Sequence, residues 1–166
     1  AYALRNQAFP VVVDLEARWM RPFLQLNHAE LTRAAASASS APGKNEDRGQ
    51  PARVRLSPGR YPGIAIVEPF PDWSGYQALD LEIYSAQAVN MVLRVHDRHH
   101  NHAHSDRFNR ALTLQPGRNS IHIPLRDIEG APAGRQMDMR SVAGIMLFAT
   151  DIDDTVELYS GRFRLR

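Results

Sequence analysis

The chain contains no cysteine, which excludes disulfide bonds, thiol nucleophiles and thiolate metal sites and leaves its redox compartment open. It has one lysine, Lys44; the other basic residues are arginines, a skew that points to GC-rich coding rather than to a function. No stretch approaches the ~18 consecutive apolar residues that a membrane helix needs, so the chain is expected to be soluble. The opening AYALRNQAF lacks a charged start followed by an apolar run, and no signal peptide is read there. Such a chain can still be a soluble piece of a longer, membrane-anchored or exported protein. GxSxG, HExxH and Gly-rich phosphate loops are all missing. Charge of one sign is missing too. The formal net charge is +2, and acids are interspersed among the arginines (DLEAR, DLEIY, DRFNR, DIDD), leaving no basic stripe for nucleic acid.

What is present is alternation. The 166 residues, 43% of them hydrophobic, suit a single domain spanning 1–166. Apolar and polar residues alternate in 9–16, 23–28, 52–57, 63–68, 78–85, 89–96, 107–114, 119–125, 143–150, 155–160 and 162–166, each reading as a strand. SPGRYPG, FPDWSGY, QPGRN and APAGR supply turns. About ten short strands without a long helix predict an all-β fold, an antiparallel two-sheet β-sandwich of jelly-roll type. The Ala/Ser-rich and then charged segment 34–50 reads as a mobile loop, with a turn or two of helix over 29–36 as the alternative.

Period-two alternation assigns faces. Leu79, Leu81 and Ile83 share one side of their strand; Asp80, Glu82 and Tyr84 share the other. In the next two strands Met91, Leu93, Val95, Phe108, Leu112 and Leu114 point inward, while Arg94, His96, Arg107 and Asn109 point outward. If the three strands form a meander, Tyr84, Glu82, Arg94, His96, Arg107 and Asn109 make one polar platform. Sugar hydroxyls need such paired donors and acceptors. The plainer reading is a solvated face with cross-strand ion pairs, Glu82 to Arg94 for instance.

Five of the seven histidines fall in HDRHHNHAHSDRFNR (96–110). Imidazoles at 96, 99, 100, 102 and 104 could reach a metal, but a run joining two strands offers no second-shell support, so a solvated hairpin tip is expected and no metal site. Asp97 and Asp106 flank the loop and can pair with Arg98 or Arg107 to fix its base. Trp73 in PDWSGY either stacks on a sugar or packs beneath its turn. Trp19 either stacks or caps the core. DIDD (151–154) reads as an acidic turn. Asp80 and Glu82 lie ~7 Å apart along one strand, within the ~5–9.5 Å of glycosidase carboxylates, but one strand is not a cleft, and no enzyme is expected.

PGRYPGIAIVEPFPDWSGYQALDLEIYS, LRVHDR, DRFNRALTLQPGRNSIHIPL, AGIMLFAT and VELYSGRFRL together resemble carbohydrate-binding-module-like β-sandwiches of the galactose-binding-like fold. HDR…DRFNR with RDIEGAPAGRQMDM resembles the soluble C-terminal domain of some bacterial VanZ-like membrane proteins. The likeness covers residues 52–166 well and the first 50 poorly. It implies a non-catalytic carbohydrate-binding-like module, outside the cytoplasmic membrane and fused to a membrane protein. The implied partner is a glycan or cell-envelope polysaccharide. Nucleic acid is not a partner, membrane association runs only through other parts of a longer chain, and no cofactor is implied. The candidate ligand-binding residues are Tyr84, Arg94, His96, Asp97, Arg107, Asn109 and Trp73. Many such modules hold a calcium ion between acids of the first and last strands; Asp14 and Glu16 match the first half, but Ser160 and Gly161 stand where further acids are usual. A protein-interaction or sensor domain on the same fold is the alternative, and a glycan-active enzyme using Asp80, Glu82 and His96 a third.

Overall fold

The computed structural model describes residues 1–33, 51–68, 70–150 and 152–166; the expected mobile loop at 34–50 lies outside them. Among the described residues eleven strands follow in chain order: β1 (Val11–Asp14), β2 (Leu24–Asn27), β3 (Ala29–Arg33), β4 (Ala52–Leu56), β5 (Gly63–Val67), β6 (Ala78–Ser85), β7 (Val89–Asp97), β8 (Phe108–Leu114), β9 (Gly117–Pro124), β10 (Val142–Ala149) and β11 (Val156–Leu165). They form two antiparallel sheets. The first runs β3–β4–β11–β6–β9, with β1 also paired to β11; the second runs β2–β5–β10–β7–β8. The expected β-sandwich is therefore the observed fold.

Between the sheets lies the core predicted by alternation: Leu79, Leu81 and Ile83 from β6, Met91, Leu93 and Val95 from β7, and Ile145 and Leu147 from β10, all buried. Each such side chain contributes roughly 1.5–3 kcal/mol when fully buried. TVELYS and RFRLR, read as two strands, are one. Val156 and Leu158 point inward at even positions, Phe163 and Leu165 at odd ones. A bulge between Tyr159 and Arg162 inserts the extra residue that switches the parity. Ser160 takes a positive φ there, and a Cβ on Gly161 would lie 2.8 Å from Leu15.

Some elements escaped the alternation, among them a short helix over Leu125–Glu129. The weak pattern at Ala29–Arg33 is an edge strand on β4, not helix, because β4 supplies its backbone partners. Tyr2–Ala8 forms a short helix, α1, too short to persist alone. Arg5 anchors it. This fully buried side chain donates through Nη2 to Glu68 Oε1 at 2.7 Å, with its guanidinium 5.3–5.5 Å from the Phe9, Trp19 and Phe70 rings. Burial pushes the Glu68 carboxyl up to about 7 against the pull of Arg5.

Trp73 is completely buried. It packs beneath its turn, its amide donating to the Met139 carbonyl at 2.8 Å, and no sugar reaches its ring.

Candidate functional site

The base of the His-rich loop is built by a residue far away in sequence. Arg135 reaches Asp97 with two hydrogen bonds (2.7 and 2.9 Å) and Asp106 with two more (2.6 and 3.0 Å). Asp97 also accepts the Asp138 and His99 amides, and Asp106 the Asn101 amide. Both aspartates are buried. For Asp97, burial opposes ionisation, but the Arg135 and Asp138 hydrogen bonds outweigh it and leave the pKa below the ordinary value. For Asp106 the Arg135 hydrogen bonds dominate in the same direction. The expected partners Arg98 and Arg107 do not serve. Each follows its aspartate directly, and adjacent side chains in extended backbone diverge. Asp97 is thus a structural anchor, not a ligand-facing group, and the loop is a packed element rather than a loose tip. The signal for Arg135 was its turn, APAGRQMD, which lacks a local acid before it.

Held this way, the loop leans on the outer face of the second sheet. The register gives rows across five strands. Asn27, Gly63, Phe148, Val92 and Ala111 form one row; Gln25, Ala65, Met146, Arg94 and Asn109 the next; Val67, Gly144 and His96 a third. The first row is largely apolar and ends at Tyr61, which packs edge-on against Phe148 (centroids 5.6 Å apart) yet is 52% exposed. Asn27 fixes that turn by donating to the Arg60 and Tyr61 carbonyls, each at 2.8 Å.

The other end of the face is cationic. Arg94 Nη2 donates to His100 Nε2 at 3.2 Å, and His100 Nδ1 donates to the Asp106 carbonyl at 2.9 Å, a pair of contacts that one imidazole tautomer satisfies. Arg107 Nε donates to Asn109 Oδ1 at 2.9 Å, and Asn109 sits opposite Arg94 in the ladder. Burial, then the Arg107 charge, lower the Arg94 pKa. His96 lies flat over Gly144, where a Cβ would come within 2.5 Å of its ring. Burial, then Arg94 and His100, push His96 down to about 4, so it is neutral at pH 7. Its Nδ1 and the Nε of Arg94 are buried without hydrogen-bond partners.

The two outer faces differ in kind. On the first sheet Glu82 meets Arg118 (2.7 Å), Asp80 meets His122 (2.6 Å) and Arg166 (3.3 Å), and Glu157 meets Arg53 and Arg55 (both 3.7 Å). The five strands of the second sheet hold a single carboxylate, Asp97, and Arg135 already binds it. Among the described residues neither Arg94 nor Arg107 has a carboxylate partner.

The sequence-based platform is therefore divided. Arg94, His96, Arg107 and Asn109 do share one face. Tyr84 and Glu82 do not join them, because β6 belongs to the first sheet and faces β7 across the core instead of beside it. Glu82 pairs with Arg118, not Arg94. Tyr61 and Phe148, which alternation did not single out, supply the aromatic surface; a tyrosine placed between two turn signals, as in SPGRYPG, was the available clue.

The Asp14/Glu16 set does not fit calcium. Ser160 Oγ donates to Glu16 Oε1 at 2.5 Å, the Arg162 guanidinium stands 3.6 Å from Asp14, and Arg33 donates to the Glu16 carbonyl at 2.7 Å. Two cations and a hydroxyl occupy the places that a Ca²⁺ ion would need for oxygen ligands.

No protein-family model matches the chain, and no curated protein matches it. Solved structures do. The family 11 carbohydrate-binding module from Clostridium thermocellum, in complex with a β-1,3-1,4-mixed-linked tetrasaccharide, aligns with TM-score 0.61 and 13% identity over 93% of this chain and 94% of that one. The CBM22-1 xylan-binding domain from Paenibacillus barcinonensis Xyn10C aligns with TM-score 0.52 and 11% identity over 93% and 94%. An exo-β-agarase aligns with TM-score 0.64 and 17% identity over 94% of this chain, which spans 25% of the agarase. At these identities the likeness shows the fold, a β-sandwich shared with carbohydrate-binding modules.

Proposed function

We propose that the chain is a non-catalytic carbohydrate-binding module that lays a glycan across the outer face of its second sheet. The observation that carries this reading is the composition of that face. An apolar row ends in an exposed aromatic ring at Tyr61, and guanidinium and amide donors (Arg94, Arg107, Asn109) border it with no acid to consume them. A ring can cover the C–H face of a sugar while the donors take its oxygens. The fold shared with sugar-binding modules supports the reading. So does the first sheet, where the notional catalytic pair Asp80 and Glu82 is engaged in ion pairs. We further place the module outside the cytoplasmic membrane, as a galactose-binding-like domain of a VanZ-like membrane protein, on the strength of the sequence resemblance.

A glycan array with purified protein tests the class of ligand. On a glycan that binds, Tyr61→Ala and Arg107→Ala should each weaken binding by about 1–3 kcal/mol with unchanged circular dichroism. Absence of any glycan binding would refute the reading. It would favour instead a protein-interaction domain, to which Tyr2 and Leu4, exposed on α1, would be suited.

A further inference from the structure

We propose that the glycan is acidic, a polysaccharide carrying carboxylate or sulfate groups, with one such group seated between Arg94 and Arg107. This rests on the sugar-binding reading above and adds the charge of the ligand to it.

The argument is one of uncompensated charge. Strand faces that carry arginine ordinarily carry acids opposite, and the first sheet of this molecule does so, with Glu82, Asp80 and Glu157 each facing a cation. The outer face of the second sheet has arginine without the acids; Arg110 of β8, on the other face, is paired with Asp127 at 3.1 Å. Arg107 is close enough to Arg94 to disfavour its charge, and both are held in place by neutral groups: Arg94 by His100, Arg107 by Asn109. Asn109 is itself fixed, donating to the His104 carbonyl at 3.0 Å. Arg94 is half-buried with its Nε out of reach of solvent, and its Nη1 and the two Nη groups of Arg107 make no hydrogen bond among the described residues. Two preorganised guanidiniums with free N–H groups recognise a planar carboxylate or a sulfate oxygen fork by paired hydrogen bonds.

The rest of the face agrees. At the base of the loop Asp97 and Asp106 are turned into the Arg135 clamp, and Asp138 accepts from Ser141 and the Arg140 amide and faces His99. At the far end of β7, Asp153 and Asp154 border a depression of about 450 Å³ with Asn90 and Thr113. That end is four residues from Arg94, about 13 Å along the strand. The face thus has a direction: an anionic substituent is accepted at one end and repelled at the other, while the neutral part of the sugar chain crosses the Phe148–Tyr61 row.

Isothermal titration against polygalacturonate, a sulfated galactan, a neutral mixed-linkage β-glucan and neutral agarose tests this. The expected result is affinity for one of the acidic polymers at least tenfold above that for either neutral one, with the two acidic arms telling carboxylate from sulfate. Arg94→Gln and Arg107→Gln should each lower affinity for the preferred acidic polymer more than tenfold. Arg164→Gln, which removes the same charge from the other sheet, should leave it within twofold. Arg107 points outward and serves where Arg94→Gln perturbs folding, judged by melting temperature. If neutral and acidic glycans bind equally, or if Arg164→Gln costs as much as Arg107→Gln, the acidic-ligand proposal fails and the sugar-binding reading stands. If no polymer binds, both fail.

Discussion

Arg135 shows how one side chain can decide whether a loop has a shape. Four of its hydrogen bonds are divided between two buried carboxylates from the two ends of the β7–β8 connection and a fifth goes to the Gln136 carbonyl, so the two ends of the loop close on one guanidinium. The pH consequence follows from the sign of the shifts. Asp97 and Asp106 have folded pKa values below the unfolded aspartate value of 3.8. Below that value the unfolded chain binds more protons, and the stability these groups provide is lost as the pH falls toward their folded values; above it the contribution is complete. His96 acts in a separate window. Its folded pKa of about 4 lies below the ordinary 6.5, so its neutral burial supports folding fully above pH 6.5 and progressively less down to about 4. Urea melts across pH should therefore show that Arg135→Gln flattens the limb below pH 4, and His96→Asn the limb between 4 and 6.5. A His96→Asn difference curve without slope in that interval would show that the imidazole is solvated.

At the level of elements, α1 depends on one ion pair that gains little by existing. Desolvation pushes Glu68 up to about 7 and lowers Arg5, the pattern of a buried pair whose Coulomb attraction is nearly offset by the loss of water. Removing one partner is another matter. Glu68→Ala strands the Arg5 charge among Phe9, Trp19 and Phe70 and should cost about 3–5 kcal/mol in chemical denaturation. The double change Arg5→Met with Glu68→Leu should recover most of it; equal loss in the double variant would mean that packing, not charge, sets the cost. None of this was legible in AYALRNQAF, because a seven-residue helix owes its existence to a tertiary contact. Strands were legible where alternation was strong. They were misjudged at β3, whose partner decides its state, and at β11, where the SG bulge in LYSGRF resembles a break. Deleting Ser160 would remove the bulge and leave one regularly alternating strand in which Phe163 and Leu165 still point inward.

For the whole molecule, alternation specified which residues share a side of each strand but not which sheet receives the strand. Ala86 to Ala88 connect β6 to β7 across the sandwich, and a short connection looks the same in sequence whether it folds a hairpin or crosses the core. Arg94, His96, Arg107 and Asn109 were recoverable because β7 and β8 do pair; Tyr84 was lost with β6, and the partnership of Tyr61 with Phe148 needed β5 and β10 side by side. The two faces that result make a testable division of labour. Replacing Glu82 and Arg118 together by glutamine should change stability by no more than about 1 kcal/mol, as exposed pairs do, and should leave glycan affinity unaltered. A loss of affinity in that variant would move the binding surface to the first sheet.

The position of β11 sets a timetable. It lies inside the first sheet, with β4 and β1 along one edge and β6 along the other, yet it follows every other described strand of the sandwich in sequence. All five strands of the second sheet leave the ribosome before it, and can pair while synthesis continues. The first sheet cannot: β4 and β6 wait with open edges, the state in which strands are prone to find wrong partners, until residues 156–165 emerge and join them. Nascent chains halted before Val156 should bind chaperones and resist native folding, and emergence of residues 156–165 should convert two waiting half-sheets into one.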